Sequence, residues 1–153
     1  VVWHYDLLAL SFIVMLVILA TLILIYRSLI AAIDTAPFVE HLALYLPFSL
    51  YTGWITLATI ANLSVLQYSY GWDNVWLTAV QWTLLKLALV GAIGARMVLR
   101  RRDIPFALVV AWGAYGISVM QSATPEVAGA ATTLSLLALI LAAADGVRRL
   151  SPA

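Results

Sequence analysis

The chain reads as five long uncharged runs separated by short polar turns. A bilayer core about 30 Å thick takes roughly 20 residues of helix. The first run, Leu7 to Tyr26, carries no charge and lies between Trp3, His4, Tyr5 and Asp6 on one side and Arg27 on the other. A polar loop holding Asp34, Pro37, Glu40 and His41 is expected next, followed by a second span over 44–66. The aromatic turn Tyr68, Tyr70, Gly71, Trp72, Asp73, Asn74 leads into a third span over 75–99, which contains Lys86. Arg100-Arg101-Arg102-Asp103 forms a tight basic loop, in which Asp103 fits an N-cap and Pro105 the first turn of a fourth span over 104–120. Thr124-Pro125-Glu126 repeats that start signal for a fifth span over 126–145, with Gly146 as its expected stop. The runs are too long for strands and lack period-two alternation. The predicted fold is all-α: five transmembrane helices in a bundle.

The second span differs from the others in carrying a polar ladder. Ser49, Thr52, Thr56 and Thr59 recur at intervals of three, four and three, with Asn62 three further on. That spacing places them on one helical face. Lipid offers such groups no partners, so the face should meet protein, water or a ligand. The simpler alternative is that the hydroxyls bond back to carbonyls of their own helix.

Composition and charge fix the class and the sidedness. The chain is 65% hydrophobic and 10% charged, too apolar to cover a soluble core. Its net charge of +1 implies no affinity for nucleic acid, and the absence of cysteine excludes disulfides and thiolate metal sites. With five spans, Arg27, Arg96, Arg100, Arg101, Arg102, Arg148 and Arg149 share one side and the opposite side has no arginine or lysine. The positive-inside rule then puts the C-terminus and the Arg100–Arg102 loop in the cytoplasm, with the Trp3 end and the Trp72 loop outside. The outer aromatics, including Trp3, Tyr5, Tyr68, Tyr70, Trp72 and Trp76, read as an anchoring belt.

Lys86 is the least ordinary residue. Thirteen positions after Asp73 and fourteen before Arg100, it falls near the middle of its expected span, roughly 15 Å from either interface. Its charge calls for carbonyls, hydroxyls, water, a neighbouring subunit or an anionic ligand, and Trp82 one turn earlier offers an aromatic face. A lysine satisfied by the Ser/Thr/Asn ladder accounts for it equally well. His4 and His41 lack a spaced carboxylate cluster, so no metal site is expected. Gly91/Gly94/Ala95, Gly113/Gly116 and Gly129/Thr133 read as close-packing positions, and Trp112 and Tyr115 as core or cavity residues of the fourth span. No nucleophile elbow, phosphate loop or carboxylate dyad is present, and no inverted transporter repeat is visible. An enzyme is not expected.

One resemblance adds to this. Trp3-His4-Tyr5 through Ile25-Tyr26-Arg27, followed by Leu46-Pro47-Phe48-Ser49-x-Tyr51-x-Gly53-Trp54-Ile55-Thr56-x-Ala58-Thr59-x-Ala61-Asn62, resembles the tryptophan-rich sensory proteins. These are longer bacterial relatives of the TspO/MBR translocator family. Pro47, Tyr51 or Phe48, Trp54, Ala58 and Asn62 follow the pattern of that family's last helix, with altered proline-to-tryptophan spacing. The resemblance covers about residues 3 to 67. It implies that the first two helices correspond to the last two of a five-helix TspO core. Residues 1–70 would then be a TspO-like helix pair and residues 71–153 a three-helix extension. The start at Val1, without methionine or a signal peptide, fits core helices lying upstream.

The resemblance implies a sensory or regulatory membrane protein that binds a hydrophobic ligand of tetrapyrrole, carotenoid or lipid type. Tyr51, Trp54, Ala58 and Asn62 are the residues it nominates for the ligand, joined by Lys86. A bacterial inner membrane is the expected location, in some cases linked to photosynthesis. The alternatives are an accessory subunit of a photosynthetic or respiratory complex, or a transporter using the ladder and Lys86 as a pathway. Expected partners are membrane lipids together with other membrane subunits or further copies of the chain.

Overall fold

The computed structural model describes residues 7–33 and 38–150. Trp3, His4, Tyr5, Asp6, Asp34 and Pro37 lie outside the described residues, as do the side chains of Glu40, His41 and Arg149. The described residues form five helices and no strand: α1 (Leu8–Ile33), α2 (Phe38–Ser69), α3 (Ala79–Arg101), α4 (Ile104–Met120) and α5 (Pro125–Leu150). Four of them, α1, α2, α3 and α5, are long and apolar enough to cross a membrane. The fourth, α4, has 17 residues and rises about 26 Å, which is the lower limit for a spanning helix. Leu10, Ile13, Val17 and Leu24 of α1 are exposed, as are Leu136, Leu139 and Ile140 of α5. Such surfaces belong against lipid rather than water.

Several helix ends differ from the sequence expectation, each for a local reason. The first helix, α1, continues from Arg27 to Ile33 because Ser28 to Ile33 contains no breaker. The second, α2, begins at Phe38, so Glu40 and His41 are in helix rather than loop, and Pro47 is interior. An interior proline of this kind is tolerated in membrane helices. The third, α3, starts four residues late, at Ala79. Thr78 and Gln81 form a capping box there: the Gln81 N–H donates to Thr78 Oγ1 at 3.2 Å, and the Thr78 N–H to Gln81 Oε1 at 2.9 Å. Gly146 does not stop α5, which runs on to Leu150.

The chain divides into two compact units, Val1–Trp72 and Asp73–Ala153. In the first, α1 and α2 form an antiparallel hairpin pinned at both ends. Near one end the Asn62 side-chain amide donates to Ser11 Oγ at 3.2 Å. Near the other, the hydroxyls of Tyr26 and Tyr45 lie 3.3 Å apart and their ring centroids 6.0 Å apart. Buried Ser11, Leu22 and Tyr26 make the α1 side of the seam.

The second unit packs α3, α4 and α5 against one another. The buried residues of α5 among those described are Val127, Ala131, Ser135, Ala138, Ala142 and Asp145, a stripe at steps of four, four, three, four and three. Small residues let the backbones approach: a Cβ on Gly94 would sit 3.3 Å from Val110, and one on Gly91 2.9 Å from Leu134. Gly116 and Gly129, read from sequence as packing positions, have open space around them and face outward. The Ser135 hydroxyl crosses to the Ala111 carbonyl at 2.9 Å.

The basic turn between α3 and α4 is tightly built. Arg102 adopts the left-handed conformation (φ 55°). Its N–H donates to the Val98 carbonyl at 2.9 Å, and the next N–H, of Asp103, to Met97 at 3.2 Å, a Schellman closure. Asp103 is fully buried and caps α4, accepting the Phe106 N–H at 3.0 Å, as its sequence position predicts.

Candidate functional site

The helix α2 has two chemically different faces. On one, Ser49, Thr52, Thr56, Thr59 and Asn62 are all buried. Three threonine hydroxyls donate to carbonyls four residues back: Thr52 to Phe48 at 2.6 Å, Thr56 to Thr52 at 2.7 Å and Thr59 to Ile55 at 2.7 Å. Their polarity is thereby absorbed within α2, and the methyl groups are left to pack. The ladder therefore lies in the seam of the hairpin. Two amide oxygens at this level, Asn62 Oδ1 and Gln67 Oε1, are buried without a hydrogen-bond partner.

The other face carries Tyr51, Trp54 and Ala58, at positions i, i+3 and i+7. Tyr51 is 49% exposed and Trp54 45%, and Ala58 between the turns is half-buried. The result is a broad apolar surface of two large rings with a shallow step where alanine replaces a larger side chain. Asn62 completes the same series at i+11 but turns into the seam, through its bond to Ser11. The structure therefore brings three of the four α2 residues together on an open face and places the fourth at its edge.

Lys86 lies elsewhere, on α3, and half-buried. Because α3 begins at Ala79, Lys86 is seven residues from the helix start, about 10 Å along the axis, and not mid-helix. Helical side chains lean toward the N-terminus, so its stem can snorkel to that interface. The neighbouring Trp82 uses its indole N–H on the Val75 carbonyl at 3.3 Å. Trp112 and Tyr115, expected in a core or cavity, are 63% and 60% exposed on the outer side of α4. Among the described residues no cluster of three or more histidines or carboxylates could hold a metal ion.

Two features escaped the sequence reading. Asp145 is buried at the end of the α5 stripe and lies 3.9 Å from Arg102, which brings the basic turn beside the C-terminal end of α5. The signal was present, since Asp145 continues the stripe three residues after Ala142. The Tyr26–Tyr45 pair left no such trace, because it depends on hairpin register.

These features define a helical integral membrane protein with a self-contained polar seam and an aromatic face open to its surroundings. The chain belongs to the TSPO-like protein family, whose model matches residues 1–144. The match takes in α1 to α4 and most of α5, so it extends well beyond the resemblance at residues 3 to 67. Comparison with curated proteins and with solved structures finds no match.

Proposed function

We propose that this TSPO-like protein is a non-catalytic sensory or regulatory membrane protein that binds a flat apolar ligand of the tetrapyrrole or carotenoid type, or a lipid, on the outer face of α2. The observation that carries this reading is the exposure of Tyr51 and Trp54 around the Ala58 step, on a helix whose opposite face is already closed against α1. Aromatic rings favour offset stacking on flat conjugated systems. The orientation proposed is that of a bacterial inner membrane protein. The Arg100–Arg102 turn and the C-terminal end of α5 are cytoplasmic, a pairing supported by the Arg102–Asp145 contact.

Titration of the purified protein with protoporphyrin IX, followed by Soret absorbance, tests the reading. A saturable red shift is expected, weakened in Trp54→Leu. An unchanged spectrum at micromolar protein would overturn it.

A second reading has its own support. Trp112 and Tyr115 project from the middle of α4, not from its ends where an anchoring belt belongs. That placement fits an accessory subunit contacting other membrane subunits or further copies of the chain. Gentle detergent extraction followed by size analysis checks this: a larger assembly supports it, and a small stable monomer counts against it.

A further inference from the structure

In the second unit an apolar slot of about 140 Å³ runs between α3, α4 and α5. Its walls include Gly91 and Val98 on α3, Ala107 and Val110 on α4, and Leu137 and Leu141 on α5. Leu137 is 53% exposed, so the slot is open at that wall. The volume is of the size that accepts a benzene-like group, enough for a stretch of several methylenes. No polar side chain lines it, which excludes a polar ligand within the slot.

One end of the slot reaches the basic turn. Val98 is three residues before Arg101, and Ala107 is four after Asp103. Leu134, Leu137, Leu141 and Arg148 stand on one stripe of α5 at i, i+3, i+7 and i+14, with Asp145 at i+11. Arg101 and Arg148 are exposed, and the Arg102–Asp145 contact holds the two helix ends together. Every basic residue at this end is arginine; the chain's single lysine is Lys86. Sidedness alone does not distinguish arginine from lysine. Arginine's planar fork, unlike a lysine ammonium, matches a phosphate with two hydrogen bonds.

We infer that this end of the second unit is a binding site for an acidic phospholipid, with the phosphate held by Arg101 and Arg148 and part of one acyl chain seated in the slot between α3, α4 and α5. A cationic rim one to two turns from an apolar slot complements an anionic headgroup joined to a hydrocarbon tail, and a free phosphate or a neutral lipid matches only half of it. Asp145 orients the rim by fixing Arg102, and so keeps the α3–α4 turn beside α5. The site is built from α3, α4 and α5 alone, and its test does not depend on what α2 binds.

The test is native mass spectrometry of the intact chain in detergent, titrated with dioleoyl phosphatidylglycerol and, separately, with dioleoyl phosphatidylcholine. One phosphatidylglycerol is expected to bind in preference to phosphatidylcholine, more weakly as ionic strength rises. The double variant R101Q/R148Q should lose roughly tenfold or more in that affinity. Leu137→Trp, at an exposed position where folding is not at stake, should lower the affinity for the dioleoyl lipid while sparing glycerol phosphate. Equal binding of the two lipids, or phosphatidylglycerol affinity unchanged in both variants, would overturn the site. Binding of inorganic phosphate as tight as that of the lipid would also overturn it, by removing any role for the slot.

Discussion

The two units of this chain solve the same problem, joining helices in an apolar solvent, by different chemistry. The α1–α2 hairpin buries hydroxyls and two amides, and the hydroxyls of Thr52, Thr56 and Thr59 are bonded within α2 itself. The α3–α4–α5 bundle buries glycine and alanine, and reserves polar bonds for its ends and for one crossing at Ser135. Where lipid is as apolar as leucine, burial of side chains gives helices little reason to associate, so close approach and interhelical bonds must do it. The bundle uses both. The hairpin uses bonds at its two ends and leaves Tyr51 and Trp54 of α2 exposed, and these are candidate ligand residues.

The difference can be broken at its most sensitive point by filling the close approach in the bundle. Gly94→Leu places a side chain where even a Cβ lies 3.3 Å from Val110, and overpacking of this kind costs about 1–3 kcal/mol. A clear drop in thermal midpoint in detergent is expected, and an unchanged midpoint would mean that α3 and α4 are not tightly packed. Asp103→Ala removes the buried cap of α4 and should destabilise by about 1 kcal/mol, measured by the same melt. The smallest effect belongs to the hairpin. Thr56→Val keeps the shape and removes only a hydroxyl bonded to its own helix, so its melt should shift by less than about 0.5 kcal/mol equivalent. A large loss there would show that the ladder bonds across the seam.

Much of this was legible in the sequence. Uncharged run length marked the spans, and Asp103 with Pro105 marked the start of α4, because cap chemistry is local. The burial of the Ser/Thr ladder followed from its spacing, as did the possibility that its hydroxyls bond back. Depth was the main error. Placing Lys86 at mid-helix assumed that α3 began at Val75, whereas Thr78 and Gln81 set the start, and a capping box outweighs the apolar character of Val75, Trp76 and Leu77. Spacing also gave two series on α2, the ladder and Tyr51–Trp54–Ala58–Asn62, but not which faced inward. Only the register of α1, fixed by Ser11 and Tyr26, shows that Asn62 belongs to the seam while Tyr51 and Trp54 do not. Register of this kind is a long-range property, and the periodicity of one helix does not contain it.

The claim that α2 has an open ligand face and a closed structural face is tested most directly by comparing two variants in one protoporphyrin titration. Trp54→Leu and Thr56→Val are two residues apart on opposite faces. The account predicts that Trp54→Leu weakens binding by roughly tenfold, through loss of a stacking surface, while Thr56→Val binds as the unaltered chain does. Equal losses in both variants, or a loss confined to Thr56→Val, would contradict it.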